Sequence, residues 1–403
     1  MTRRDRVMAA LNFEPVDRIP RDLGGMPSTG ISCFAYPRLR AALGLPPRPP
    51  KVYDTGQMLA LPDVDVLDAL DCDVVTICPL VTNAVETPEL WHPFDFGGRL
   101  DALVLRPDDF SVAEDGTVLQ PGAASRMPPD AFVFDQDHAG QLFSLDAETP
   151  RPDLEAVQAQ LAGEAERLEQ NFEDLVRLFE RARASTDRAI MVFGLGLGMG
   201  IGEFTGVALF PLLCMEDPDF VRRLHRMISD AALRRLERLL PRIRDCVDVF
   251  VVTADDWGTQ HGPIASPDIY RGLFAPYHRE VNDLIHALAP KTKTFLHSCG
   301  AVESLIDDFI DARFDVLNPV QWTAGNSSPE AWKNRAGTRL ALWGGGVNSQ
   351  ETLPWGTPDA VADEARRVSA VLSRGGGYVF AAIHNILAEV PPENIIALYR
   401  ALD

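Results

Sequence analysis

VDVFVVTADDWGTQHGPIASPDIYRGLFAPYHREVNDLIHALAPKTKTFLH (247–297) places two strand-like runs either side of one long amphipathic stretch. VDVFVVTA (247–254) and TKTFLH (292–297) are short and rich in β-branched and apolar residues, while Pro267 to Leu288 has helical spacing. A strand, a helix and a second strand of this kind form a parallel unit with a right-handed crossover. The same alternation extends outward. RAIMVFG (188–194), FDVLNPV (314–320), TRLALWGG (338–345) and GYVFAAIH (377–384) read as strands, and Asp217 to Arg244, Val302 to Ala312 and Pro358 to Ser373 read as helices. Arg18 to Leu23 and CDVVTIC (72–78) bring the strands to eight. Eight strands separated by helices predict an α/β fold, a (β/α)8 TIM barrel. A doubly wound open sheet is the alternative that the same pattern allows.

Residues 80–150 interrupt the alternation and are rich in Pro, Asp and Gly. Asp115-Gly116 lies between strand formers, so this segment is expected to be an inserted β-hairpin region over the barrel mouth. Residues 151–184 read as one or two polar helices, and LGLPPRPPKV (43–52) as a loop. The expected organisation is a single barrel domain over 1–403.

The chain has 403 residues, 46% of them hydrophobic and 24% charged, enough for a large buried core. Its formal net charge of −20 repels phosphate backbones and disfavours nucleic acid as a partner. The six cysteines are scattered without a CxxC pair, which predicts a reduced, cytoplasmic protein. No apolar run approaches the roughly 18 residues that span a bilayer, so no membrane partner is expected. MTRRDRVMAALNF (1–13) lacks the apolar core of a secretory signal.

Chemistry concentrates at the predicted strand ends. In Phe295-Leu296-His297-Ser298-Cys299-Gly300, positions 297 and 299 face the same side of an extended backbone. An imidazole and a thiolate side by side suit zinc. His384, at the end of GYVFAAIH, is the candidate third metal ligand; the alternative is a hydrogen-bonded histidine in a pocket without metal. Asp255 and Asp256 follow another strand, where adjacent carboxylates can act as acid and base or hold substrate. One of the two is expected to be functional and the other a structural cap. Trp257 is the candidate apolar wall and Gln260 a neutral hydrogen-bonding group. Gly194, Gly196 and Gly198 alternate with apolar residues, which clears one face of the chain for a ligand or for a second backbone. This run matches neither a dinucleotide-binding nor a P-loop pattern. Glu203 beyond it, and Asn318 and Gln321 after a further strand, are candidate substrate or cofactor contacts.

RRDRVMAALNFEPVDRIP (3–20), DDWGTQHGPIASPDIYRGLFAPYHREV (255–281), HSCGAVESLIDDFIDARFDVLNPVQ (297–321), WGGGVNSQETLPWGTP (343–358) and GGGYVFAAIHNILAEVPPENIIALY (375–399) together resemble the uroporphyrinogen decarboxylase superfamily. The resemblance implies a (β/α)8 barrel. It is closer to the zinc- and corrinoid-dependent methyltransferase branch than to the haem-pathway decarboxylase, whose paired arginines are absent from residues 21–30. His297 and Cys299 match that branch's His-x-Cys zinc ligands, and His384 stands where the branch has a distant Cys. The resemblance implies a methyltransferase or demethylase moving methyl between a small methoxylated or methylated substrate and a corrinoid. The corrinoid would be carried by a separate protein, since Asp135 to Gly140 only partly matches a cobalamin-binding motif. Asp255 or Asp256 would position or deprotonate substrate. A porphyrinogen or smaller-acid decarboxylase, and a non-catalytic small-molecule-binding barrel, are the alternatives.

Overall fold

The computed structural model describes residues 1–120, 125–136, 149–201, 204 and 206–403. Its centre is a curled parallel sheet of β1 (Val74–Cys78), β2 (Ala189–Val192), β3 (Val249–Ala254), β4 (Lys293–His297), β5 (Val316–Asn318), β6 (Ala341–Trp343) and β7 (Tyr378–Val379). Each strand pairs in parallel with the next in chain order, and Val81–Thr82 adds a short antiparallel edge to β1. Residues 20–22 join the two ends of this curl. Phe380 N donates to Pro20 O and Asp22 N to Phe380 O, both at 2.8 Å, while Asp73 N donates to Arg21 O at 2.8 Å. The result is an α/β fold of TIM-barrel type, with β3 and β4 adjacent and their C-terminal ends at one rim.

The strands are apolar throughout because both faces are covered: every residue of Ala189–Val192 is buried, as is Val249–Thr253. Covering helices show the complementary single stripe. Pro218–Ile243 starts from Asp217, whose carboxylate accepts from Phe220 N at 3.0 Å, and buries Val221, Leu224, Ile228, Leu236 and Leu239. The expected helix over 267–288 is two helices, Pro267–Leu273 and Ala275–Leu288. Pro276 has no N–H to continue the first helix's ladder, so the chain restarts there.

The last strand is shorter than expected. Regular pairing stops at Val379 with a bridge at Phe380, so His384 lies beyond the sheet. Residues 381 and 382 instead give their carbonyls to Gly346 N (2.8 Å) and Gly345 N (3.3 Å). Within 80–150, His92–Asp95 pairs with Asp101–Val104, and Ser111–Val112 pairs with Val118–Gln120 around Asp115-Gly116. Ser125–Met127 and Asp135–Gln136 complete a four-stranded antiparallel sheet with that second pair.

Candidate metal centre

The loops after β3 and β4 touch backbone to backbone because both carry glycine at the crossing. A Cβ on Gly300 would lie 2.3 Å from the Gly258 carbonyl, and a Cβ on Gly258 would lie 2.5 Å from Ala301 N. Gly300 also holds φ at +85°, where a side chain is strained. Asp255 N donates to His297 O (2.8 Å) and Gly258 N to Cys299 O (3.0 Å), so the two loops stay in register past the end of the sheet. This contact sets Asp256 beside His297 and Cys299.

Cys299 Sγ lies 3.4 Å from His297 Nε2, and the ligand atoms of His297, Cys299 and His384 all lie within 4.8 Å of one another. Zinc with Zn–S near 2.3 Å and Zn–N near 2.0 Å has a tetrahedral S–N edge of about 3.5 Å, so this donor set fits the ion. Asp256 Oδ1 is 3.4 Å from His297 Nε2 and accepts from Cys299 N at 2.8 Å. Burial pulls the His297 imidazole down, but the facing Cys299 thiolate and Asp256 carboxylate outweigh it and hold the ring well above its ordinary value. His384 moves in the same direction, with burial opposed chiefly by Cys299. Burial pushes the Cys299 thiol up, yet His297 and His384 bring it down to about 7. Burial likewise raises the Asp256 carboxyl, and His297 more than reverses it, leaving Asp256 ionised well below the usual carboxylate range. A site that gathers one thiolate and one carboxylate around two imidazoles is built to hold positive charge.

Behind His297 stands Asn318, fully buried at the end of β5. Its Oδ1 receives His297 Nδ1 and Ser28 Oγ, each at 2.7 Å, and its Nδ2 donates to Trp343 O at 3.0 Å. Gln321 Oε1 accepts from Gly300 N at 2.7 Å and steadies the loop that carries Cys299. Asn318 and Gln321, expected as substrate or cofactor contacts, therefore grip the cluster's own supports.

The adjacent aspartates diverge. Asp255 is buried and accepts from Ile201 N (2.6 Å) and from Trp257 Nε1, while Asp256 faces the cluster. Trp257, expected as an apolar wall, is instead fully buried, with its ring edge-on to Tyr270 (4.9 Å) and Phe274 (4.7 Å). Gln260 is exposed, and its carbonyl accepts from Gly325 N at 2.9 Å. In the glycine run the close approach at Gly196 is that of a second backbone. A Cβ there would lie 2.1 Å from Val252 O, so that backbone fills the Cβ side of Gly196. Gly194 abuts Pro79, while Gly198 has open space around it. Glu203 and residues 137–140 of the partial cobalamin-binding motif lie outside the described residues. Ser28, Gly258 and Gly300 went unread in the sequence. The two glycines had a signal, since each lies just past a chemical residue at a strand end, whereas Ser28 had none because its partner is 290 positions away.

A family model described as uroporphyrinogen decarboxylase (URO-D) matches residues 202–403, which contain β3 to β7 and the whole metal cluster. The chain belongs to the uroporphyrinogen decarboxylase family. It is 26% identical over 195 residues to a uroporphyrinogen decarboxylase of Synechococcus sp. (strain CC9605), covering 48% of this chain and 50% of that one. Over 97 residues it is 32% identical to the uroporphyrinogen decarboxylase of Pseudomonas fluorescens (strain Pf0-1), covering 24% and 25%. The chain thus spans about half the length of the curated family members it matches. Among solved structures, a methyltransferase from Methanosarcina mazei superposes with a TM-score of 0.53 at 17% identity, covering 100% of this chain and 98% of that one, a likeness of fold. Among the described residues, no helix is long and apolar enough to cross a membrane.

Proposed function

We propose that this member of the family is a metal-dependent methyltransferase or demethylase acting on a small methoxylated or methylated compound, with His297, Cys299 and His384 as ligands of zinc. The observation that carries the reading is the convergence of one thiol and two imidazoles within 4.8 Å, flanked by the Asp256 carboxylate. Zinc bound there supplies a Lewis acid that lowers the pKa of a thiol or hydroxyl on the substrate. Asp256, ionised beside His297 and Cys299, is placed to position the substrate heteroatom at the ion, where the heteroatom would take up a proton on losing methyl or release one on accepting it. Asp255 acts at one remove by tying residue 201 to Trp257. The methyl group's other terminus is a corrinoid carried by a separate protein. The domain organisation that suits this is one barrel over 1–403, with segment 80–150 over the mouth. The six free cysteines suit a reducing cytoplasm.

The test is elemental analysis of the purified chain, followed by methyl exchange between cobalamin and a panel of methoxylated aromatics and methylated thiols. About one zinc per chain and cobalamin-dependent exchange are expected. A folded chain that takes up no zinc when offered it ends the reading.

The second reading, a porphyrinogen decarboxylase, is favoured by the curated relatives at 25–32% identity. Against it stands Arg21, the one arginine in residues 21–30. It is buried and pairs with Asp403 at 2.8 Å, away from the cluster. Turnover of uroporphyrinogen at an enzymatic rate would replace the first reading with the second.

A further inference from the structure

A histidine ligand offers a metal whichever ring nitrogen is free of a proton, and the free nitrogen is set by what the other one meets. For His297 the other nitrogen meets Asn318 Oδ1 at 2.7 Å. That amide oxygen is identified by its own partners. Asn318 Nδ2 is committed to the Trp343 carbonyl (3.0 Å), which can only accept, so Oδ1 is the atom that faces Ser28 and His297. An amide oxygen accepts only, so His297 Nδ1 must carry its proton and Nε2 is left to the cluster. Asn318, Ser28 and His297 are all buried, so water cannot substitute for any of these bonds.

We infer that Asn318 is a positioning residue for the metal centre. Its amide oxygen, itself oriented by Ser28 and the Trp343 carbonyl, fixes His297 with the proton on Nδ1 and Nε2 directed at the metal. The inference rests on the zinc reading above and extends it to residues that touch neither metal nor substrate. A neutral amide in this place also differs in consequence from a carboxylate. It orients the ring without adding a negative charge to a site that already holds the Cys299 thiolate and Asp256, so the bound ion keeps more of its pull on substrate.

The experiment is zinc affinity by competition with a chromophoric chelator, in wild type, Asn318→Ala, Asn318→Asp and Ser28→Ala. Thermal melts of the metal-free proteins serve as the control for folding. Asn318→Ala is expected to bind zinc about 10–100-fold more weakly, the range for loss of a ligand's hydrogen-bonding partner. Asn318→Asp, which keeps an accepting oxygen, is expected to recover most of that loss. A folded Asn318→Ala that binds zinc as tightly as wild type overturns the inference and leaves the zinc reading standing. Wild type that takes up no zinc removes both. If Asn318→Ala does not fold, the zinc-loaded wild type decides through its imidazole ¹⁵N resonances. A proton on Nδ1 of His297 is expected, and a proton on Nε2 overturns the inference.

Discussion

Two pairs of histidines sit apart on this fold, one at the rim and one in the core, and loss of solvent has opposite outcomes in them. His297 and His384 stand with ring centroids 6.0 Å apart at the rim, facing the Cys299 thiolate and the Asp256 carboxylate, and both are held above the ordinary imidazole value. His225 and His278 lie in the layer of helices behind Trp257, among Phe210, Phe274, Tyr277, Tyr270 and Phe314. Burial pulls His225 down to about 4 and, with His225 as a neighbour, His278 down to about 3. His225 Nδ1 meets Leu273 O (2.7 Å) and His278 Nδ1 meets Tyr270 Oη (3.1 Å). Burial alone therefore gives a neutral ring that serves packing. Burial beside anions gives a site that attracts a cation.

The widest contrast lies in the thiols. In metal-free protein, Cys299 is half ionised at about pH 7, whereas burial pushes Cys78 and Cys214 up to about 12 and holds Cys33 and Cys72 well above their usual value. Five units make thiolate about 10⁵-fold scarcer, and the greater nucleophilicity of the more basic thiolates offsets this to a few hundred-fold in rate. Iodoacetamide at pH 7, read by peptide mapping, should therefore label Cys299 a few hundred-fold faster than Cys78 and Cys214. Its rate should climb as pH rises through about 7, and zinc should protect it. Equal labelling of Cys299 and Cys214 would break the contrast. Next in size is Cys299→Ser, which removes the soft ligand while keeping most of the shape. Zinc affinity should fall by more than the roughly 100-fold that loss of a supporting hydrogen bond produces. His225→Gln should leave it unchanged, because that ring belongs to the other cluster.

The sequence made one side of this comparison readable and concealed the other. His297 and Cys299 are two positions apart at the end of an apolar run, so strand geometry alone places them together. His384 was legible as a candidate, but not its position beyond the sheet. That position depends on Gly345 and Gly346 taking the carbonyls of residues 381 and 382 in place of a continuing strand. Asp255 and Asp256 look equivalent in sequence. Only the loop crossing at Gly258 and Gly300 turns one into the core and the other onto the cluster. Trp257 was misread because a large aromatic at a strand end suits a pocket wall and a helix-facing core equally well. Seven of the eight expected strands were legible because buried parallel strands must be apolar on both faces, whereas the one expected over Arg18 to Leu23 is only a bridge at Arg21 that closes the curl. Their exact ends were not, since these are set by glycine-mediated contacts between residues distant in the chain.

The smallest of the expected effects tests the aromatic side by its pH dependence. His225 has a folded value of about 4 against 6.5 for the free side chain. Below 6.5 the unfolded chain takes up a proton that the folded chain refuses, so stability is present above that value and is lost as pH falls toward 4. At 1.36 kcal/mol per unit, the loss attributable to this ring is about 3 kcal/mol. His225→Phe keeps a ring edge-on to Phe274 but abandons the bond to Leu273 O, which should cost about 1 kcal/mol at neutral pH. The variant cannot bind the proton, so its stability should decline less on acidification. The two stability curves, measured by urea unfolding at intervals from pH 7 to pH 4, should cross, with wild type ahead at 7 and the variant ahead by about 2 kcal/mol near 4. Parallel curves would mean that His225 is protonated as readily folded as unfolded, and the distinction between the two histidine pairs would fail at its aromatic end.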